Sequence, residues 1–125
     1  MRLKRKHWKA PSMTACKGEI WLANLNPQKK PNEVGKMRPV LVIQNDILNR
    51  SAYPNTIVIP LSTRLVDDAE PLRFRISARK KLEKDSDALI GHIRSIDNDR
   101  FVEKLAEVTE EELKTVLKLL IEILE

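Results

Sequence analysis

Aromatic side chains are scarce: two Trp, two Phe and one Tyr make up 4% of the 125 residues. An aromatic interior is thereby excluded, and any core has to be built from aliphatics. The single cysteine, Cys16, rules out an internal disulfide and fits a reducing cytoplasm. Three glycines (Gly18, Gly35, Gly91) cannot make a glycine-rich phosphate loop. His7 and His92 lie far apart and Cys16 has no cysteine partner at zinc spacing, so neither a metal nor a cofactor is expected. No apolar run approaches the roughly 20 residues that span a bilayer. The N-terminus is basic but lacks the apolar stretch of a signal peptide, so a cytoplasmic protein without membrane contact is expected.

What is present is enough for one packed domain, since a chain of this length hides roughly two-thirds of its unfolded surface. Hydrophobic residues are 42% of the total. The net charge of +5 is unevenly spread. Residues 1–17 hold six cations (Arg2, Lys4, Arg5, Lys6, Lys9, Lys17) and no acid. Residues 18–100 carry fourteen cations against eleven acids, and 101–125 three against seven. A basic N-terminal extension, 1–17, is expected to precede a domain over 18–125. The extension reads as a solvated tail or as a phosphate-binding arm. A mildly basic body is compatible with a phosphate-bearing partner.

Ordered structure is expected from Gly18. "GEIWLANLNP" alternates like a strand and ends at the turn signal Asn26-Pro27. Residues 28–37 are polar, with Pro31 and Gly35, and read as a mobile loop. Val40, Leu41, Val42 and Ile43 then predict a strand over 39–44 with both faces covered, opened by Pro39. "NDILNRSAYPN" has turn formers at both ends. "TIVIPLST" (56–63) is a further strand, with Pro60 marking an edge or bulge. "EPLRFRIS" (70–77) alternates Leu72, Phe74 and Ile76 with Arg73 and Arg75, a half-exposed strand with a cationic face. Gly91 interrupts "DALIGHIRSI" (87–96) with a bend or bulge. Thr109 and Glu112 form a capping box, after which Leu113, Val116, Leu117, Leu120, Ile121 and Leu124 follow helical spacing. Leu119 and Ile123 add a second apolar stripe, suited to burial or to a dimer contact. The pattern is mainly β with helices: a small barrel closed by a C-terminal helix.

Polar groups gather at the predicted strand ends: Arg38 opens one strand, Ser62 and Thr63 close another, and His92, Arg94 and Asp97 surround Gly91. Each has an ordinary reading as a surface ion pair, a turn or a structural histidine. Together they suit metal-free RNA cleavage, which uses the substrate's own 2′-hydroxyl. Arginine grips phosphate through its planar fork. A Ser or Thr hydroxyl donates to the same oxygens. Histidine can exchange protons near neutral pH. A Cys16–His nucleophilic pair is formally open but sits at the edge of the ordered region. Trp21 and Tyr53 are candidates for base stacking, with core roles the stronger reading.

Four motifs in order, "GEIWLANLNP", "NEVGKMRPVLVIQND", "TIVIPLST" and "DSDALIGHIRSID", resemble those of the MazF/PemK toxins of bacterial toxin–antitoxin systems. The resemblance runs from Gly18 to the C-terminus. It implies an SH3-like barrel of the PemK/CcdB type, a homodimer, and a metal-independent endoribonuclease acting on single-stranded RNA. Cleavage would leave a 2′,3′-cyclic phosphate and a 5′-hydroxyl, and a cognate antitoxin would occupy the RNA groove. The family's catalytic arginine falls on Arg38 and its hydroxyl residue on Ser62, with Thr63 adjacent. The loop 28–37, with Asn32, Glu33 and Lys36, matches the substrate-contacting loop. Asn45 and Asp46 match a polar pair after the signature strand, and Arg94 and Asp97 match an IRTID-like run. Two departures stand out: Ser62 where threonine is usual, and His92 where glutamine is common. His92 thereby becomes a candidate acid–base group. Rival readings are a CcdB-like toxin that binds DNA gyrase without cutting anything, and a barrel that binds nucleic acid without cleavage.

Overall fold

The computed structural model describes residues 14–25 and 36–125. Seven strands and two α-helices follow in the order β1 (Glu19–Asn24), β2 (Met37–Val42), α1 (Asp46–Asn49), β3 (Asn55–Ser62), β4 (Arg73–Ile76), β5 (Ser86–Leu89), β6 (Arg94–Asp97), β7 (Phe101–Glu107) and α2 (Glu110–Leu124). One sheet holds them in the order β4-β5-β3-β2-β1-β7, with β6 also on β3. The pairings between named strands are all antiparallel.

The apolar runs of β1, β2 and β3 are explained by burial on both faces. Ile20, Leu41, Ile59 and Leu61 point into one cluster, completed by Ile76, Ala88, Ile90 and the helix residues Val116 and Leu119. Trp21, Ala23, Val40, Val42, Val58 and Ile96 point into a second cluster on the other face, joined by Ala15 and Leu25. Trp21 meets Phe101 edge to face at 5.7 Å between centroids, so it is a core residue and not a stacking platform.

The sheet is not closed by hydrogen bonds, yet it must curl. A 3-10 turn of three residues, Asn98–Arg100, carries the chain from β6 on the flank of β3 to β7 on the flank of β1. In a flat sheet these flanks would be four strand spacings apart, about 19 Å, whereas three 3-10 residues advance about 6 Å. Ile96 and Phe101, on either side of the turn, both pack on the second cluster, which is therefore the inside of the curl. The result is the expected barrel-like architecture.

Details depart from the sequence reading for physical reasons. Pro39 is the third residue of β2, not its first; β3 flanks β2 only from Val40, so Pro39 needs no N–H toward it. Pro60 lies in a central strand, at the gap where the partner of β3 changes from β6 (up to Val58) to β5 (from Leu61). The turn expected after β2 contains a short helix, α1, capped by Asn45. Thr14–Lys17, ahead of Gly18, are already tied in: Ala15 is buried and the Lys17 N–H donates to Asp46 Oδ1 at 2.8 Å. Gly18 then turns at φ +90°, favourable only for glycine, and its N–H and C=O join β2 and Val108. The Thr109–Glu112 capping box is present, and Val116 and Leu119 are the residues of α2 that become fully buried, while Ile121 and Leu124 stay exposed.

Candidate active site

Side chains two apart on a strand share a face, so Arg38 continues the Val40–Val42 face of β2 and Ser62 continues the Val58–Pro60 face of β3. The recorded register is Val40 opposite Pro60; carried two residues on, it sets Arg38 abreast of Ser62. Val58 stands directly opposite Arg94, which brings Arg94 to the same face. Arg38 and Ser62 are thus polar positions at one end of the inner face, where the apolar cluster stops, and Arg94 flanks the same face nearer the middle of β3. Thr63 follows Ser62 beyond the strand and is exposed. His92 lies in a 3-10 turn, Ile90–His92, two residues before Arg94, and is exposed on the same end. Lys36 stands at the foot of the 26–35 segment, where its carbonyl accepts from the Leu25 N–H at 2.9 Å. Asn32 and Glu33, and the loop around them up to residue 35, lie outside the described residues, as do residues 1–13.

Arg94 lines a cleft of about 210 Å³ with Asn24, Leu25, Ser95, Ile96, Asp97 and Arg100. Its wall is formed by the end of β1, the whole of β6 and Arg100 of the turn that follows. The side chains of Arg38, Thr63, His92 and Arg94 make no hydrogen bond or ion pair with another described residue. Ser62 Oγ is engaged once, accepting the Arg64 N–H at 3.2 Å. Elsewhere arginines are paired: Arg73 and Arg75 with Asp87, and Arg79 with Glu112.

Of the remaining expected site residues, Asn45 and Asp46 are at the other end of the sheet, while Asp97 ends β6 in the same cleft as Arg94. Asn45 follows β2, about 20 Å from Arg38 by strand rise, and its Oδ1 accepts the Leu48 N–H as the cap of α1. Asp46 accepts from the Lys17 N–H and from Asn49 Nδ2. Burial works to raise its carboxyl, but these bonds and Arg50 outweigh burial and hold it below the usual range. Asp97 accepts from Asn55 Nδ2 at 2.7 Å. Asn45 and Asp46 are bound up within the fold, whereas Asp97 is exposed on the cleft.

Cys16 is half-buried and its Sγ donates to the Thr14 carbonyl at 3.6 Å. Burial pushes its thiol upward, and the nearby carboxylates of Glu19 and Asp46 push the same way. A thiol so held is a poor nucleophile at neutral pH. Among the described residues no group of three His, Cys, Asp or Glu side chains could hold a metal ion, and no helix is long and apolar enough to cross a membrane.

Sequence reasoning missed Asp87, which is fully buried in β5 and accepts from Arg75, Arg73 and the Val66 N–H. A single aspartate in "DSDALIG" carries no signal of its own; only the pairing of β5 with β3 and β4 gives it partners.

Comparison with known proteins gives this arrangement a family. A family described as PemK-like, MazF-like toxin of type II toxin–antitoxin system matches residues 16–124. The endoribonuclease MazF of Staphylococcus saprophyticus is 36% identical over 102 residues, which is 80% of this chain and 82% of that protein. The crystal structure of MazF (Form-I) from Deinococcus radiodurans matches with a TM-score of 0.70 at 26% identity, over 90% of this chain and 97% of that one. MazE–MazF (Form-II) from the same organism matches with a TM-score of 0.72 at 26% identity, over 90% and 96%. On these matches, the chain belongs to the PemK/MazF family of type II toxin–antitoxin toxins.

Proposed function

We propose that the protein is the toxin of a toxin–antitoxin pair and acts as a metal-independent endoribonuclease on single-stranded RNA. The observation that carries this reading is the placement of Arg38 abreast of Ser62, with Arg94 on the same face and neither guanidinium paired to a described residue. Guanidinium groups that reach solvent without an internal partner, half-exposed in Arg38 and exposed in Arg94, can take a phosphate without first breaking an internal bond.

In this mechanism the 2′-hydroxyl attacks its own 3′-phosphate. Arg38 neutralises the charge growing on the phosphorane, and the Ser62 hydroxyl donates to a non-bridging oxygen. Thr63 stands beside it as a second donor. His92 exchanges a proton with the attacking or leaving oxygen and solvent water makes the other transfer, so that the 2′-hydroxyl loses its proton and O5′ gains one. The P–O5′ bond breaks, leaving a 2′,3′-cyclic phosphate and a 5′-hydroxyl. Arg94 and Lys36 hold flanking phosphates, and Asn32 and Glu33 contact the RNA from the loop. The described bonding of Asn45 and Asp46 favours fold support over RNA contact for these two, while Asp97 lines the cleft with Arg94 and stays a candidate contact.

The nuclease domain spans 18–125, with 1–17 as a basic extension whose last residues, Thr14–Lys17, pack onto it. The S. saprophyticus relative is named an endoribonuclease, and the D. radiodurans complex pairs a MazF with a MazE. By the same likeness this chain forms a homodimer and is silenced by a cognate antitoxin. The family match leaves the gyrase-binding, CcdB-like reading without support. The test is incubation of the purified protein with a long single-stranded RNA in EDTA, followed by end-group analysis. Discrete cuts with cyclic-phosphate and 5′-hydroxyl ends, lost in Arg38→Ala, are expected. Intact RNA, or a fully active Arg38→Ala, would overturn the assignment.

A further inference from the structure

A carboxylate with 1% of its surface exposed, Asp87, occupies the position on β5 directly opposite Ser62 on β3, and it is also directly opposite Arg75 on β4. Its Oδ1 accepts Arg75 Nε at 2.6 Å, and its Oδ2 accepts the Val66 N–H at 2.9 Å and Arg73 Nη1 at 3.2 Å. The same Arg73 nitrogen donates to the Arg64 carbonyl at 2.9 Å, and the Arg64 N–H donates to Ser62 Oγ at 3.2 Å. An unbroken chain of bonds therefore runs from the buried carboxylate to the proposed catalytic hydroxyl.

Packing does not account for a charge here. A buried ion pair can often be exchanged for apolar residues without loss of stability, and β5 could present an aliphatic at this position as it presents Ala88 to the core. Burial works to raise the Asp87 carboxyl, but the bonds from Arg75, Val66 and Arg73 outweigh it and keep the group ionised. The consequence falls on Ser62. A hydroxyl has one proton to donate and two lone pairs. With one lone pair taken by the Arg64 N–H, the rotor is biased so that the proton points away from that amide, free to donate to an incoming phosphate.

Resting on the nuclease reading above, we propose that Asp87 is a positioning residue: through Arg73 and the Arg64–Val66 backbone it orients the Ser62 hydroxyl for the scissile phosphate. The discriminating measurement is a double-mutant cycle between Ser62→Ala and Asp87→Asn. It is read by single-turnover cleavage of a defined RNA at a temperature where each variant is fully folded by circular dichroism. Asp87→Asn should slow cleavage about tenfold with RNA affinity unchanged, and it should cost less than twofold more once Ser62 is already alanine, because residues acting as a unit are non-additive. Hydrogen exchange at the Arg64 amide should quicken in Asp87→Asn. Costs that multiply, a wild-type rate in Asp87→Asn, or a fully active Ser62→Ala would each overturn the proposal. If Asp87→Asn does not fold, Arg73→Gln replaces it, since that change removes the bond to the Arg64 carbonyl while Arg75 and the Val66 N–H still satisfy Asp87; the same non-additivity is expected. An active wild type with multiplying costs removes this inference alone, whereas a wild type that leaves RNA whole removes the nuclease reading and this inference with it.

Discussion

Strand β3 is apolar through its middle and polar at both ends, but the two ends differ in what their polar groups are bonded to. At its start, Asn55 donates to Asp97, Thr56 donates to Asn98 Oδ1, and Gln44 and Asn49 exchange side-chain and backbone bonds beside them. At its finish, Arg38, Thr63 and His92 make no such bond with a described residue, nor does Arg94 beside its middle. Buried polar groups must be satisfied internally or they destabilise the fold. Exposed ones carry no such obligation and are available to a ligand. One end of the strand is consolidated and the other is open for binding, so substitutions at the two should separate stability from activity.

The largest effect is expected at the open end. Arg38→Ala removes a half-exposed side chain with no described partner, so the melting temperature should stay within about 2 °C of wild type. Loss of a guanidinium aimed at the transition-state charge should slow cleavage by roughly 10²–10³-fold. Thermal melts and single-turnover kinetics on the same preparation check both halves. A large fall in melting temperature would erase the contrast between the two ends.

The mirror image is Asn49→Ala at the consolidated end. Asn49 is buried and bonds Gln44 twice and Asp46 once. Its loss should cost about 2 kcal/mol, or roughly 8 °C in melting temperature for a domain of this size. The cleavage rate of the folded fraction should be unchanged within about twofold. A specific loss of cleavage would bring the far end into the RNA groove, as the motif resemblance of Asn45 and Asp46 suggests.

Acid should act on the hydrogen-bonded carboxylates wherever they lie: Asp46 beyond the start of β3, Asp87 beside its finish, and Glu112 on α2. Arg79 holds the Glu112 carboxyl below its usual range through two short hydrogen bonds, with burial opposing. Asp87 and Asp46 are likewise held low, their hydrogen bonds outweighing burial. Each binds its proton less readily folded than unfolded, and unfolded carboxyls titrate near pH 4. The stability they contribute is therefore complete above about pH 4.5 and is lost as pH falls through their native values. Melting temperatures from pH 7 to pH 3 should fall at the acid end, and more gently in Glu112→Gln. An equally steep fall would show that Glu112 is not among the groups responsible.

This comparison also marks what the sequence alone could and could not reveal. Helix α2 was readable because its signals are local: Thr109 and Glu112 are three residues apart, and the apolar spacing follows directly. Arg38 and Ser62 were readable as strand-end groups because the apolar runs beside them define the ends. Helix α1 was hidden, since four residues are too few to show periodicity and Asn45 reads equally well as a turn former. Asp87 was hidden for a different reason. Its meaning depends on β5 meeting β3 and β4 in one register, a long-range fact that places residues 62, 75 and 87 in a single row across three strands. Whether a cation is paired or open is likewise tertiary: Arg73 and Arg75 read as a cationic face, yet both are tied to Asp87.

The smallest effect tests whether Arg94 belongs to the open end on its own account. It is exposed, lines the cleft beside β1, and faces Val58 across the sheet. If it holds one phosphate of the RNA backbone, it displaces one condensed counterion, and the slope of log affinity against log salt should change by about 0.7 for a single strand. Arg94→Gln should therefore flatten that slope by about this amount while leaving the melting temperature unmoved. RNA affinity would be measured from 50 to 300 mM salt with Arg38→Ala as the common background, so that binding is read without cleavage. An unchanged slope would place Arg94 outside the phosphate path and leave Arg38 and Lys36 as the cations along it; a flatter slope would extend the path from Arg38 across β3 to β6.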